Sequence, residues 1–439
     1  MSPEAIAALM VASLLLGIFV GFPLAFVLGG VGIIFGYFTL GLGVFPMLVT
    51  RVFGTMSNYI LVAVPLFIFM GNMMERSGIG EELYSGIYLW FGRLRGGLAI
   101  GTMAICTLLA ASTGIMITAI IGVGVIALPA MLNRGYQKGL ATGTIASGGT
   151  LGILIPPSIM LVLYGAEVGL SVGKLFAAAI FPGLLLSALY LTYITLRCAI
   201  QPHLGPALPP EDRMAPLKTK FLVGMKAIFP PIFLILAVLG TIFWGIATPT
   251  EAAGVGAFGA IILAAARRRL SLANLKEVGL RTLKTTSLAL FIVVGATCFT
   301  SVFIAGGGGK AIMTLMVDLP IGPFGILVLI LLILFILGMF IDWIGILMII
   351  IPIFLPIVTN IGFDPLWFAL LVCVNLQMSF LTPPFGYALF YTKAIAPHDV
   401  NLLDIYRGII PFVALQMLTL VVCVLFPNVV LWLPSVIVG

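Results

Sequence analysis

Apolar residues run along this chain in long blocks, not in alternation. Blocks near 4–21, 23–39, 58–76, 173–197, 227–247, 250–266, 285–305 and 405–427 hold at most two charged residues each. Their lengths suit a hydrocarbon layer about 30 Å thick, which takes roughly 20 helical residues to cross. Two further blocks, 97–132 and 322–358, run to about 36 residues, enough for two short helices back to back. Two more, 138–166 and 365–395, carry adjacent prolines, Pro156–Pro157 and Pro383–Pro384, in their middle. A proline inside a helix removes a donor and clashes with the preceding turn, so each of these blocks predicts a broken helix. Segments 44–56 and 271–283 are more amphipathic and predict arms lying along a membrane surface. Alternating strands of the β-barrel type are absent. The pattern predicts an all-α polytopic membrane protein.

Composition agrees. Of 439 residues, 62% are hydrophobic and 8% charged, where soluble domains average about 25% charged. The net charge of +7 is the basic excess of cytoplasmic loops, not a nucleic-acid footprint. The five cysteines sit singly in apolar segments with no ligand or disulfide spacing. Residues 4–21 read as a first span, not a cleavable leader, because no basic stretch precedes them. No catalytic constellation is present. The G-x-G-x-x-G match at 254–259 lies inside a span with no strand before it and reads as close helix packing.

The two halves echo each other. "LPAMLNRGY" at 128–136 and "IPPSIMLVLY" at 155–164 face "LPIVTNIGF" at 355–363 and "TPPFGYALFY" at 382–391, with Pro129/Pro356, Asn133/Asn360, Gly135/Gly362, Pro156/Pro383, Pro157/Pro384 and Tyr164/Tyr391 all 227 apart. A duplication predicts a first repeat at 1–200, a linker at 201–226 and a second repeat at 227–439. Counting 97–132 and 322–358 as re-entrant hairpins leaves five crossings per repeat, and the odd number inverts the second repeat. With the linker inside and both termini outside, 18 Lys and Arg fall on the inner face. Arg51, Lys174 and Lys310 remain outside, a skew of the positive-inside kind.

An inverted repeat with one broken helix in each half is the plan of a secondary transporter. Unwound backbone is tolerated in a membrane only where it is buried or lines a cavity, and its freed carbonyls suit a hard cation. Thr150 and Ser158 add hydroxyls to the first break; Asn375, Gln377, Ser379 and Thr382 are offered by the second. The hairpin middles, "ASTGIMIT" at 111–118 and "GMFIDWIG" at 338–345, supply Ser112, Thr113, Gly114 and Thr118, and Gly338, Asp342, Trp343 and Gly345. A carboxylate deep in an apolar stretch marks a functional site. Asp342 equally suits an N-cap at the hairpin turn, as Ser112 and Thr113 do for the second hairpin helix. Glu251 reads as a helix cap. Glu167 and Lys174 fall on the outer surface.

The stretches "PLFIFMGNMMERSGI" at 65–79, "GGTLGILIPPS" at 148–158, "TPTEAAGVGA" at 248–257 and "NLQMSFLTPPFGYALFY" at 375–391 resemble the large membrane subunit of tripartite ATP-independent periplasmic (TRAP) transporters, over essentially the whole chain. The resemblance implies a Na⁺-coupled, elevator-type importer of organic anions in a bacterial or archaeal inner membrane. It implies a periplasmic substrate-binding protein and a separate small four-helix membrane subunit as partners, membrane lipid around the complex, and Na⁺ as coupling ion with no other cofactor. Carried over, a first sodium site takes Ser112, Thr113, Gly152, Ile155 and Pro157, and a second takes Gly338, Asp342, Ser379, Thr382 and Pro384. Substrate contacts would come from Ser112, Thr113, Thr150, Ser158, Asp342, Trp343 and Tyr387. Many family members carry a serine-rich first tip. Here Ile115 and Met116 stand where hydroxyls are common, which points to an unusual substrate. C4-dicarboxylates, 2-oxo acids, sugar acids and other monocarboxylates stay open. So does a stand-alone Na⁺/anion symporter of the same architecture that needs no binding protein.

Overall fold

The computed structural model describes residues 2–207, 209 and 216–437, and among them every regular element is a helix. The first half holds α1 (Pro3–Val20), α2 (Leu24–Leu40), α3 (Val44–Met56), α4 (Ala63–Arg76), α5 (Ile79–Phe91), α6 (Gly97–Thr113), α7 (Met116–Asn133), α8 (Lys138–Thr150), α9 (Ile159–Val168) and α10 (Val172–Ile200). The second holds α11 (Leu217–Phe243), α12 (Pro249–Ala266), α13 (Leu272–Ala305), α14 (Gly308–Val317), α15 (Gly322–Gly338), α16 (Trp343–Asn360), α17 (Pro365–Leu381), α18 (Tyr387–Ile395), α19 (Leu402–Leu425) and α20 (Asn428–Ile437). Among the described residues ten helical segments are long and apolar enough to cross a membrane. The protein is an all-α, multi-span membrane protein.

The order of hairpin, broken helix and long helix is the same in both halves. The bounds of α7 and α16 differ by 227 at both ends, as do the starts of α8 and α17. The stretches at 97–132 and 322–358 each form two helices packed on each other, α6 on α7 and α15 on α16. Both proline pairs fall between helices, α8 and α9 in one half and α17 and α18 in the other, and the Pro156–Pro157 and Pro383–Pro384 bonds are cis.

Local chemistry sets the boundaries. The α12 start is a capping box in which the Thr248 hydroxyl accepts from the Glu251 N–H and the Glu251 carboxylate accepts from the Thr248 N–H, as the cap reading of Glu251 required. Asn401 and Asp404 do the same for α19, and Asp364 caps α17 through the Trp367 N–H at 2.9 Å.

One sequence expectation changes. The surface arm at 271–283 is not separate: it continues into the span at 285–305 as the single 34-residue α13. Ser271 caps its start, and no proline interrupts it. Within 201–226, read as the linker, α11 begins at Leu217 behind Pro216; linker residues 208 and 210–215 lie outside the described residues. The hydrophobic pattern also passed over three short helices, α5, α14 and α20, which are too short to register as spans. The arm at 44–56 is present as α3.

The halves are interlocked. The most extensive helix pairs, α2 with α13, α4 with α12 and α8 with α19, each join one half to the other. Small residues permit this, because lipid tails give no hydrophobic drive for helices to associate and close backbone contact must replace it. A Cβ on Gly32 would lie 2.9 Å from the Cys298 carbonyl carbon. A Cβ on Gly408 of α19 would lie 2.1 Å from the Gly139 carbonyl oxygen of α8. Ion pairs join further helices across the halves. Arg76 of α4 pairs with Glu277 of α13, Arg281 bridges Glu277 at 3.0 Å and Glu75 at 3.4 Å, and Arg267 of α12 reaches Glu82 of α5 at 2.9 Å.

The α8–α19 seam gives a direct test. Gly408→Val drives a branched side chain into the α8 backbone, and overpacking of this kind costs about 1–3 kcal/mol or more. The detergent-solubilised protein is expected to melt several degrees lower and to lose its monodisperse elution. Gly309→Ala, where a Cβ meets nothing within 4 Å, is expected to leave both unchanged.

Candidate functional site

The first break is enclosed on every side. From Ser147 to Gly165 every residue is buried, so each backbone group there needs a partner or a reason to lack one. After α8 the chain makes one tight turn, in which the Leu151 carbonyl accepts from the N–H groups of Leu154 and Ile155 at 3.0 and 2.8 Å. The Ser158 hydroxyl reaches back across the prolines to the Ile153 carbonyl at 2.7 Å. Proline has no N–H to offer, and among the described residues no donor reaches the carbonyls of Gly152, Ile155 or Pro157.

The α6–α7 tip closes on this break. Gly114 ends α6 at φ +64, and a Cβ there would lie 2.5 Å from the Pro157 carbonyl oxygen. A Cβ on Gly152 would lie 3.2–3.4 Å from the Ile115–Met116 backbone. Glycine is needed at 114 twice over, for the left-handed conformation and for the approach. Ser112 and Thr113 stand beside it, buried, both donating to the Leu109 carbonyl, at 3.0 and 2.8 Å. They finish α6 and do not cap α7. The N-cap of α7 is Ile115, which offers no side-chain acceptor. The positive end of the α7 dipole is therefore uncompensated at the tip. A cavity of about 390 Å³ reaches Thr113 and Thr118 from Glu75 and Arg76.

The second break is built differently. Gly338, the last residue of α15, lies against Ser379, where a Cβ would come within 2.6 Å of both Cβ and Oγ. The Ser379 hydroxyl donates to the Phe335 carbonyl at 3.0 Å, and Asn375 Nδ2 donates to Leu331 at 2.9 Å. The α15 end is thus stitched to α17. The Ser379 carbonyl accepts from the Thr382 N–H at 3.1 Å, while the carbonyls of Thr382 and Pro384 meet no donor among the described residues. Pro383, Pro384 and Phe385 are exposed, unlike anything in the first break. Asp342 caps α16, accepting from the Ile344 N–H at 3.3 Å, so its reading as a cap holds. Trp343 and Tyr387, the first residues of α16 and α18, are half-buried.

Two further residues of the first break turn their side chains to neighbouring helices. Ile155 turns its side chain to α10, where a Cβ on Gly183 would lie 2.8 Å from it. Thr150 faces α19: its hydroxyl donates to Ser147 and accepts from Gln416 Nε2 at 3.3 Å. Gln416, Thr150, Ser158 and Tyr190 are all fully buried. Sequence reasoning missed Gln416, although a lone amide in an apolar span is a visible signal. Among the described residues no group of three potential metal-ligating side chains of the His, Cys, Asp or Glu type occurs.

Comparison with known proteins gives one consistent result. Residues 11–429 match the model of the family described as "Tripartite ATP-independent periplasmic transporter, DctM component". The C4-dicarboxylate TRAP transporter large permease protein DctM of Pseudomonas aeruginosa is 32% identical over 88% of this chain and 89% of its own length. The ectoine TRAP transporter large permease protein TeaC of Halomonas elongata is 29% identical over 97% and 98%. The isethionate TRAP transporter permease protein DctMQ of Oleidesulfovibrio alaskensis is 31% identical over 86% of this chain but 58% of its own length. Among solved structures, the Alcanivorax borkumensis YdaH transporter superposes with a TM-score of 0.64, covering 96% of this chain and 98% of its own, at 13% identity. That likeness is one of fold.

The bond across the first break is testable. Ser158→Ala leaves the buried Ile153 carbonyl without its partner, at a cost of about 1–3 kcal/mol. Its melting temperature is expected to fall, with Ser435→Ala, which removes an exposed hydroxyl bonded to its own helix, as the unaffected control.

Proposed function

The chain belongs to the DctM-component family of tripartite ATP-independent periplasmic transporters, and from that premise we propose that it is the large permease subunit of a Na⁺-coupled importer of small organic acid anions. The observation that carries this reading is the set of donorless carbonyls at Gly152, Ile155 and Pro157, held beside an uncompensated helix start at the first tip. Free carbonyls of unwound backbone suit a cation, and helix N-termini aimed at the same region suit an anion.

In this reading the first sodium site uses those carbonyls with Ser112 and Thr113. The second uses the carbonyls of Thr382 and Pro384 with Gly338, Asp342 and Ser379. The hydroxyls of Ser112, Thr113, Ser379 and Thr382 all donate to backbone, which leaves their lone pairs for a cation. Ion binding at each site would hold hairpin tip and broken helix together, and the substrate would sit between the tips, near Trp343 and Tyr387. The two halves would be inverted repeats with re-entrant hairpins and both termini on the outer face of the inner membrane. The body formed by the hairpins and broken helices would move, elevator-fashion, against the helices joined at the α2–α13 and α4–α12 seams. The resemblance to the family supports this motion, a separate small four-helix subunit and delivery by a periplasmic binding protein. Relatives are named for substrates as different as C4-dicarboxylate, ectoine and sialic acid, so the anion is proposed by class only.

Reconstitution tests the partner requirement. Proteoliposomes holding this chain and its small subunit are expected to accumulate substrate only with an inward Na⁺ gradient and the binding protein present. Uptake by the chain alone would favour the stand-alone symporter, and uptake indifferent to Na⁺ would remove the coupling ion. Within that assay, Thr382→Val is expected to raise the Na⁺ concentration for half-maximal uptake about tenfold, equivalent to about 1.4 kcal/mol. An unchanged Na⁺ response would remove the Thr382 hydroxyl as a ligand.

A further inference from the structure

A polar cavity lies away from both tips. It has a volume of about 640 Å³ and takes its walls from α3, α9, α13 and α16. That is within the range of about 300–1,000 Å³ usual for small-molecule sites. Thr50, Arg51 and Thr55 project from one face of α3, and Thr297 and Ser301 from one face of α13. Such a run of polar groups is unusual in a chain with 8% charged residues.

Three hydrogen bonds frame the cavity. The Thr55 and Thr297 hydroxyls meet at 3.2 Å and pin α3 to α13. Asn58 Nδ2 donates to the Ala166 carbonyl at 3.3 Å and ties the end of α3 to α9. The Thr300 hydroxyl donates to the Met348 carbonyl at 3.2 Å and ties α13 to α16. Two charges line the space. Arg51 and Glu167 each make no ion pair among the described residues, whereas Arg76, Glu277 and Arg281 are all engaged. Met348 lies five residues along α16 from Trp343, roughly 7.5 Å of helix rise from the second tip.

We propose that this cavity is an outer vestibule that receives the transported anion before it reaches the tips, a proposal that rests on the transporter reading above. The free Arg51 guanidinium is a planar fork matched to one carboxylate. The Ser301 hydroxyl, on the α13 wall, bonds to a neutral polar substituent. Glu167, on another wall of the same cavity, repels a second carboxylate and suits a hydroxyl or cationic substituent. The favoured cargo is therefore a small monocarboxylate bearing hydroxyl or cationic groups, not a dicarboxylate.

The test uses Ser301→Cys in intact spheroplasts carrying the full complex. All five native cysteines are buried, so the parent protein gives the background. Two methanethiosulfonates of similar size are compared, the anionic sulfonatoethyl and the cationic trimethylammonioethyl reagents. The anionic reagent is expected to react faster. Arg51→Gln is expected to lower the anionic-to-cationic rate ratio about fivefold, as one nearby charge does in partly aqueous surroundings, and Glu167→Gln to raise it similarly. Arg51→Lys keeps the ratio near that of the parent and so separates charge from misfolding. In uptake by the complete system, Arg51→Gln is expected to raise KM about tenfold with Vmax little changed. Equal rates for the two reagents, a ratio unmoved by Arg51→Gln, labelling only from the cytoplasmic side, or an unchanged uptake KM would each overturn the vestibule. Failure of the transporter reading looks different: the unsubstituted complex takes up no anion, while the labelling ratio still judges the charge of the cavity.

Discussion

A carbonyl released by a proline inside an apolar body has no water to turn to, and the architecture around both breaks follows from that constraint. At the first break one carbonyl is recovered by a doubled backbone bond to Leu151 and one by the Ser158 hydroxyl. The others are left free and sealed under a hairpin tip. The seal depends on Gly114, because no side chain fits between the tip and the Pro157 carbonyl. A buried, donorless carbonyl costs free energy, and the first break carries that cost at three positions among the described residues.

The second break answers the same constraint by another route. Its prolines are exposed, its hairpin is stitched to α17 by Ser379 and Asn375, and its second hairpin helix is capped by Asp342. The first hairpin's second helix is uncapped. Two halves with matching motifs therefore present unlike tips, one with a free helix start and one with a carboxylate. Both breaks are held by a body in which neither half packs alone. The α2–α13, α4–α12 and α8–α19 seams all cross between the halves.

Much of this was legible beforehand. The blocks of apolar residues marked the spans, and the repeated Pro-Pro placed the breaks. Asp342 stood out as a carboxylate with no business in an apolar stretch except at a turn. What misled was local reading without neighbours. The amphipathic stretch 271–283 looked like a separate arm, yet with no proline or cap between it and the next span a single helix is the lower-energy path. Ser112 and Thr113 looked like caps for α7, but each satisfies its hydroxyl on the preceding turn, at Leu109.

The sequence by itself determined that this is a helical membrane protein, where its helices break and which family it resembles. Length, hydropathy and proline placement are properties of the chain in one dimension, and the membrane reads them directly. Only the tertiary structure decided which carbonyls stay free, which tip is capped, and that Arg51, Glu167 and the α13 hydroxyls share one cavity. The first break and its tip meet across some 40 residues of chain, and the cavity joins groups more than a hundred residues apart, so no local spacing along the chain encodes either meeting.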